Sequence, residues 1–117
     1  MVRVRRGEIW LIRFPFTDFS SSKLRPALVI AEHGDDLIVV GIFSSYPASD
    51  QTRETWICLD DKTLHFYITG LKKSSFIKAE KITIVHKSVL HHKIGTIPDE
   101  LLREVDLALK KALKIEG

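Results

Sequence analysis

The order of two residue patterns constrains the fold of this chain most: short strand-like runs come first, and one helical stripe ends the sequence. The runs are rich in β-branched and aromatic residues and are bounded by turn-forming residues, which is typical of β-strands. They span residues 8–14, 26–32, 37–43, 55–60 and 75–87. In the last run the alternation of apolar and polar residues is interrupted near Ala79 and Glu80, which predicts a bulge or a bend.

The carboxyl-terminal segment has a different period. In PDELLREVDLALKKALK (98–114), apolar residues recur at spacings of three, four and seven, so they form one stripe along a helix. Pro98, Asp99 and Glu100 suit the first helical turn, and the late lysines complement the negative end of the helix dipole. Because no helical pattern alternates with the strands, the order argues against a doubly wound α/β fold. We predict a mainly β fold, a small and partly closed antiparallel barrel with a C-terminal α-helix packed on it.

Length and composition bound the class of protein. A chain of 117 residues suits a single domain over 1–117. No apolar run approaches the roughly 20 residues of a membrane-spanning helix, and the opening MVRVRRGE lacks the apolar core of a signal peptide, so we expect a cytoplasmic protein. Cys58 is the only cysteine, and its place in an apolar strand predicts a buried, inert thiol. The net charge of +3 is compatible with a polyanionic partner without requiring one.

Motifs for metal, nucleotide or acyl chemistry are missing from the sequence. The five histidines form no H-x-x-x-H pair, and the sequence has no C-x-x-C, G-x-x-x-x-G-K-[ST] or G-x-S-x-G motif. The adjacent His91 and His92 are expected to point apart on an extended backbone, as surface histidines, although either is also a candidate phosphate contact or base. We therefore expect neither a metal ion nor a cofactor.

A predicted hairpin brings together the candidate functional residues. The runs PALVIAE and LIVVGIF are joined by HGDD, so the start of the first strand lies beside the end of the second. This pairing places Arg25 near Ser44 and Ser45 at the rim of the sheet. Arg25 either binds an anion or is simply a solvated strand end, and geometry alone favours the second reading.

The chemistry that such a pair can perform without a metal is cleavage of RNA. The 2′-hydroxyl of RNA is an internal nucleophile, so the protein has to position the ribose-phosphate and stabilise the charge that develops on phosphorus. The guanidinium of Arg25 matches phosphate oxygens, and a hydroxyl such as that of Ser44 donates a further hydrogen bond. DNA lacks the 2′-hydroxyl, so this chemistry would discriminate against it.

Several stretches of the sequence resemble PemK/MazF-type toxins. RGEIWLIRFPFTD (6–18), followed after a short loop by KLRPALVI (23–30), resembles the opening of that family, and IFSS (42–45), GLKKSSFIKAEKITIV (70–85) and the terminal helix follow in the same order. The resemblance implies a small SH3-like, CcdB-like β-barrel and a homodimeric, metal-independent endoribonuclease that cuts single-stranded RNA (an mRNA interferase). It also implies a cognate antitoxin, whose partly disordered tail covers the RNA groove.

The resemblance assigns roles to individual residues. Arg25 matches the arginine of the family's R-P motif, and Ser44 stands where threonine is usual, so these two are the candidate catalytic residues. Ser45 could share or replace the role of Ser44. The remaining candidates each have a second reading: a lysine contacts a flanking phosphate or is solvated, and the phenylalanine stacks on a base or packs under its loop; these are Lys23, Lys81 and Phe16.

Two alternatives to the ribonuclease remain open from the sequence. A toxin of the same fold can act by binding a protein, as CcdB-like gyrase inhibitors do, and such a binder would need neither Arg25 nor Ser44. A degenerate family member that only binds its antitoxin or RNA is the third reading.

Overall fold

A computed structural model describes residues 3–13, 23–44 and 54–116 of the chain. In these residues the chain forms strands β1 (Glu8–Arg13), β2 (Leu24–His33), β3 (Asp36–Phe43), β4 (Trp56–Leu59), β5 (Ser75–His86) and β6 (Leu90–Thr96), and helix α1 (Asp99–Ala112). Short 3₁₀ helices at Phe66–Thr69 and Lys87–Val89 lie on either side of β5. No helix in the described part is both long enough and apolar enough to cross a membrane.

The strands form one antiparallel sheet in the order β4-β5-β3-β2-β1-β6. The mainly β fold with a carboxyl-terminal helix is therefore confirmed, as is the hairpin between β2 and β3, which turns at Gly34 and Asp35. The sheet is open, because β4 and β6 are its two edges and do not pair with each other in the described residues. The sheet is therefore not closed into a barrel, which is a detail in which it differs from the partly closed barrel that we predicted.

Two irregularities in the sheet affect the positions of the candidate residues. In β5, Ile82 pairs with Val40 but Lys78 pairs with the next residue of β3, Gly41, so residues 79–81 form the predicted bulge. In β2, Ala31 pairs with Ile38 and Val29 with Val39, so the register between β2 and β3 shifts by one residue at Ile30. Strand β6 has no counterpart in the sequence-based prediction, because the polar stretch HHK conceals its alternation.

The two faces of the sheet bury different apolar clusters. The face that we call the helix face packs against α1, and its cluster includes Ile9, Leu28, Ile77 and, from the helix, Val105. The opposite face carries a second cluster, in which alternate residues of the same strands are buried: Trp10, Ile12, Ala27, Val29, Leu37, Val39 and Val85. The alternation predicted for β1, with Ile9 and Trp10 on different faces, is confirmed by this division.

Helix α1 is fixed to the sheet by its apolar stripe and by one arginine. Val105 and Ala108 are buried, as the sequence period predicts. The guanidinium of Arg6 donates a hydrogen bond of 2.9 Å to the carbonyl of Ile30 and also pairs with the carboxylate of Asp106 on the helix. This arginine therefore connects the segment before β1, the middle of β2 and the helix.

Candidate functional site

Arg25 lies at the amino-terminal end of β2, directly opposite Ile12 of β1. Its side chain is exposed, in contrast to Ala27 and Val29, which follow it on the same face and are buried. Paired residues share a face of the sheet, so Arg25 lies with Ile12 on the face opposite the helix face. It is at the end of the sheet where the second apolar cluster stops. An exposed guanidinium at the rim of a sheet is well placed to contact a solvent-borne anion.

Ser44 follows β3 directly and is exposed at the same end of the sheet. Since Ala27 pairs with Gly41, the same register continued by three residues places Ser44 beside Leu24, one residue before Arg25. The backbones of the two candidate residues therefore lie close together on adjacent strands, as the predicted hairpin requires. Their side chains, however, belong to opposite faces of the sheet, because successive residues of a strand alternate.

The register shift at Ile30 is the reason for this arrangement. Near the turn, His33 pairs with Asp36 and Ala31 with Ile38, and the same pairing continued without a shift would place Ser44 directly opposite Arg25. One extra residue in β2 moves Ser44 by one position and therefore to the other face. No glycine or proline lies within three residues of Ile30 to indicate the bulge.

Ser44 lines an open cleft of about 490 Å³ on the helix face, at the end that α1 does not cover. Leu11 and Pro26, which pair with each other, form part of its lining. Ser75 also lines the cleft, and it lies opposite Ser44 because the preceding residue of β3, Phe43, pairs with Phe76. The segment before β5 contributes two lysines, and β6 contributes a histidine; these are Lys72, Lys73 and His92. No acidic side chain of the described residues lines this cleft.

The two adjacent histidines do not point apart as predicted. Leu11 pairs with His92 and Ile12 with Leu90, so His91 is the extra residue of a bulge in β6. The bulge brings the two imidazole rings together, with 2.6 Å between their Nδ1 atoms. His92 then lines the cleft of Ser44, whereas His91 borders a separate cleft beside Arg13.

The other predicted RNA contacts are dispersed. Lys23 is exposed immediately before β2, next to the rim that carries Arg25. Lys81 is exposed in the bulge of β5, five residues along that strand from Phe76. Phe16 and Ser45 lie outside the described residues. Of the two lysines that the structure describes, Lys23 is therefore the one close to the Arg25–Ser44 rim.

An aromatic cluster on the opposite face was not predicted from the sequence. Phe43 pairs with Phe76, and the ring of Phe76 lies 5.9 Å from that of Trp56, centroid to centroid. The Nζ of Lys78 lies 4.6 Å from the centroid of Phe43 and 4.5 Å from that of Trp56. Glu80 accepts a 2.7 Å hydrogen bond from the indole Nε1 of Trp56, which fixes that ring. The alternation in WICL and FIKAE was the signal for this cluster.

Two ionisable groups near these faces have shifted pKa values. Burial raises the pKa of Glu8, but hydrogen bonds from the Arg5 amide and the Trp10 indole, together with Lys93, outweigh burial and hold that pKa below its usual value. Cys58 is exposed, so the prediction of a buried thiol is wrong: Ile57 and Leu59 take the core positions of β4.

The inert character predicted for Cys58 agrees with its electrostatics. Partial burial, with a smaller contribution from the charge of Asp60, raises the pKa of the thiol. Within residues 3–13, 23–44 and 54–116, no three His, Cys, Asp or Glu side chains are grouped so that they could hold a metal ion.

Comparison with solved structures shows the same fold in several toxins. The chain is similar to an endoribonuclease in complex with its cognate antitoxin from a mycobacterial species, with 17% identity over 98% of this chain and 99% of that one and a TM-score of 0.75. It is also similar to the Mycobacterium tuberculosis toxin MazF-mt6, with 16% identity over 94% and 99% of the two chains and a TM-score of 0.72.

A third similar structure is MazF from Deinococcus radiodurans, with 18% identity, coverage of 94% and 96%, and a TM-score of 0.67. No curated protein matches the chain significantly in sequence. The family model of the PemK-like, MazF-like toxins matches residues 5–113, which is nearly the whole sequence and includes all the elements described above. The chain therefore belongs to the PemK-like, MazF-like toxin family of type II toxin–antitoxin systems.

Proposed function

We propose that this protein is a metal-independent, sequence-selective endoribonuclease that cleaves single-stranded RNA as the toxin of a type II toxin–antitoxin pair. The observation that carries the proposal is the match of the toxin family over residues 5–113. Support comes from the similar fold of a mycobacterial protein described as an endoribonuclease. An exposed arginine and a serine at one rim of the sheet, Arg25 and Ser44, supply the chemistry.

The reaction proposed is attack of an RNA 2′-hydroxyl on the adjacent phosphodiester. The 2′-oxygen forms a bond to phosphorus and loses its proton, the bond from phosphorus to the 5′-oxygen breaks, and that oxygen takes up a proton. The products are a 2′,3′-cyclic phosphate and a 5′-hydroxyl, with no oxidant or cofactor consumed. We assign the role of charge stabilisation to Arg25, because a guanidinium holds its proton and pairs with two phosphate oxygens at once.

The assignment of Ser44 has a geometric consequence. Arg25 and Ser44 leave neighbouring strands on opposite faces, so a phosphate touched by both would sit beyond the end of β2 rather than on either face. There the long side chain of Arg25 reaches it from one side, and the hydroxyl of Ser44 donates to it from the other. Arg25 is not assigned as the base, since a protonated guanidinium cannot accept the 2′-proton.

The remaining parts of the proposal are contacts and partners. Lys23 lies beside the rim and would contact a phosphate flanking the cleaved one, with Lys81, Phe16 and Ser45 as further RNA contacts. An antitoxin as partner is supported by structures of similar toxins in complex with their antitoxins. We further propose that the protein acts as a homodimer in the cytoplasm.

Digestion of a long, mixed-sequence RNA in the presence of EDTA tests the proposal. Wild type should cut at discrete positions and leave 5′-hydroxyl ends, and Arg25→Ala should abolish cutting. Arg103→Ala, which removes an exposed arginine from the helix, is the matched control and should cut normally. Ser44→Ala should slow the reaction by about 10²-fold, as loss of one donor to a transition-state oxygen does elsewhere.

Each contrary result has a definite meaning. If folded wild-type protein cuts no RNA but inhibits gyrase, the protein-binding alternative replaces the ribonuclease. Undiminished cutting by Arg25→Ala would retain the activity and remove the proposed site. Cutting that EDTA suppresses would contradict metal independence.

A further inference from the structure

The cleft that Ser44 shares with Lys72, Lys73 and His92 has the chemistry of an anion site. Its described lining combines two ammonium groups, one imidazole and the hydroxyls of Ser44 and Ser75, without a carboxylate. A second cleft, at the carboxyl-terminal end of β4, differs in this respect, because Asp60 and Glu100 line it. The cleft beside Arg13 and His91 also lacks a carboxylate. The cleft of Ser44 differs from it in having two lysines and a candidate catalytic residue in its lining.

The wall of the cleft is held in place by contact between two backbones. Gly70 has a φ of +71°, and a Cβ added there would overlap the carbonyl of Ile94 on β6. A Cβ added at Gly95, the next residue of β6, would likewise overlap the carbonyl oxygen of Ile68. This close approach fixes the segment that leads into Lys72 and Lys73 against β6.

Hydrogen bonds order the far end of the same segment. The hydroxyl of Ser75 donates to the carbonyl of Lys73 at 2.9 Å, and Ser74 Oγ accepts the amide of Asp61 at 2.8 Å. The two lysines thus stand on a segment that is anchored at both ends. An anchored segment presents its charges to a ligand with less loss of conformational entropy than a free loop would.

The bulge of β6 gives the cleft its histidine. His91 is the extra residue, and the contact between the two Nδ1 atoms holds the ring of His92 by that nitrogen. The Nε2 of His92 has no hydrogen-bond partner among the described residues, so it is available to a ligand in the cleft. Between this histidine and the lysines, Leu11 and Pro26 offer an apolar floor.

We propose that this cleft binds the sugar-phosphate backbone of the RNA strand next to the cleavage position. The inference rests on the proposed ribonuclease function and extends it. Lys72 and Lys73 pair with phosphate oxygens, His92 hydrogen-bonds to the strand, and Leu11 and Pro26 contact ribose. Ser44 connects the cleft with the proposed cleavage site, since it lies both in the cleft and at the rim beside Arg25. The RNA strand would therefore pass over the end of the sheet from one face to the other.

Binding of a fluorescein-labelled, mixed-sequence 2′-O-methyl RNA, which has no free 2′-hydroxyl and cannot be cut, tests the cleft. The affinity is measured by anisotropy between about 50 and 200 mM salt, and the slope of log K against log salt falls by about 0.7 for each phosphate that the protein no longer neutralises. Lys72→Gln/Lys73→Gln should therefore lower the magnitude of the slope by about 1.4. The control Lys62→Gln/Lys114→Gln removes the same charge from exposed lysines outside the cleft and should change it little.

The two histidines provide a second matched pair. His92→Gln and His91→Gln both remove the contact between the rings, but only the first removes a residue that lines the cleft. We expect weaker RNA binding for His92→Gln than for His91→Gln. Equal thermal midpoints for all these variants establish that folding is unaffected.

Three results would overturn the proposal: no RNA binding by wild type, a slope unchanged in Lys72→Gln/Lys73→Gln, or an equal change in the control pair. A polyglutamate peptide is the second probe. If its binding depends on the two lysines and that of RNA does not, the cleft is a docking site for an acidic protein segment and the RNA assignment is wrong.

These experiments distinguish failure of the cleft proposal from failure of the proposed ribonuclease function. Wild-type cleavage of ordinary RNA with an unchanged slope in Lys72→Gln/Lys73→Gln would leave the ribonuclease and remove the cleft. A cleft-dependent slope without any cleavage would leave an RNA-binding protein and remove the ribonuclease.

Discussion

Replacement of Glu8 by glutamine gives a quantitative test of how the amino-terminal strand is stabilised. The carboxylate is buried, with a relative exposure of 7% for the residue. Its Oε1 accepts hydrogen bonds from the Arg5 amide at 2.9 Å and the Trp10 indole at 3.0 Å, and its Oε2 lies 3.0 Å from the Nζ of Lys93 on β6. These contacts fasten β1 to the strand that carries His92.

The expected loss follows from these three contacts. Glu8→Gln keeps an oxygen for the two N–H donors but makes both hydrogen bonds neutral. Charged hydrogen bonds contribute about 1.5–3 kcal/mol and neutral ones about 0.5–1.5, so each bond loses about 1 kcal/mol. The side chain of Lys93 is 45% exposed, so its ion pair adds at most about 1 kcal/mol. The amide is cheaper to bury than the carboxylate, which offsets part of the loss. We therefore expect the free energy of unfolding to fall by about 1–2 kcal/mol.

Urea denaturation between about pH 3 and 7 measures this difference. The pKa of Glu8 is lower in the folded protein than the roughly 4.3 of an unfolded chain, so its ionised form stabilises the fold above that pH. The difference between wild type and Glu8→Gln should be complete at pH 7 and should shrink as the pH falls through the folded pKa. Glu54→Gln, which breaks an exposed pair with Lys111, is the control and should cost less than about 1 kcal/mol. A difference that is absent, or that stays constant across this pH range, would refute the reasoning.

Three further predictions concern single residues. Gly70→Ala should destabilise the protein in urea by about 2–4 kcal/mol, because its φ is +71° and a Cβ would overlap a carbonyl of β6; Gly34→Ala, with φ +60° and open space around it, should cost only about 1 kcal/mol. Cys58 should react with a disulfide reagent at pH 7 more slowly in the folded than in the urea-unfolded protein, since partial burial and Asp60 raise its pKa; equal rates would contradict this. Arg25→Ala should leave the free energy of unfolding, measured in urea, within about 0.5 kcal/mol of wild type, because the side chain is exposed.

The sequence was sufficient where a single periodicity governed an element. The apolar stripe of α1 and the alternation in β1 identified both elements and the faces that they bury. The bulge of β5 was also visible, because the alternation of the strand breaks at Ala79 and Glu80. These features are local, so neighbouring residues in the sequence are enough to specify them.

The features that the sequence did not reveal depend on pairing between distant segments. Strand β6 is held by pairing to β1 and by the backbone contact at Gly95, and its polar composition gave no sign of either. Cys58 was expected in the core because its strand is apolar. Successive side chains of a strand point to opposite faces, however, and in β4 it is Ile57 and Leu59 that face the core. Which alternate residues face the core depends on the register of the strand, and the register is set by pairing with the partner strand.

Register also decides what the candidate site can be. A hairpin continued regularly from the His33–Asp36 pair would place Arg25 and Ser44 directly opposite one another and on one face, where both could grip a phosphate lying on the sheet. The extra residue at Ile30 instead assigns them to opposite faces, with the cationic cleft on the side of Ser44. A phosphate shared by the two side chains must then lie beyond the end of the sheet, and a strand bound there is bent over the rim. In the proposed complex this bend would place one phosphodiester at the rim, within reach of both Arg25 and Ser44, and cleavage would be directed to that bond.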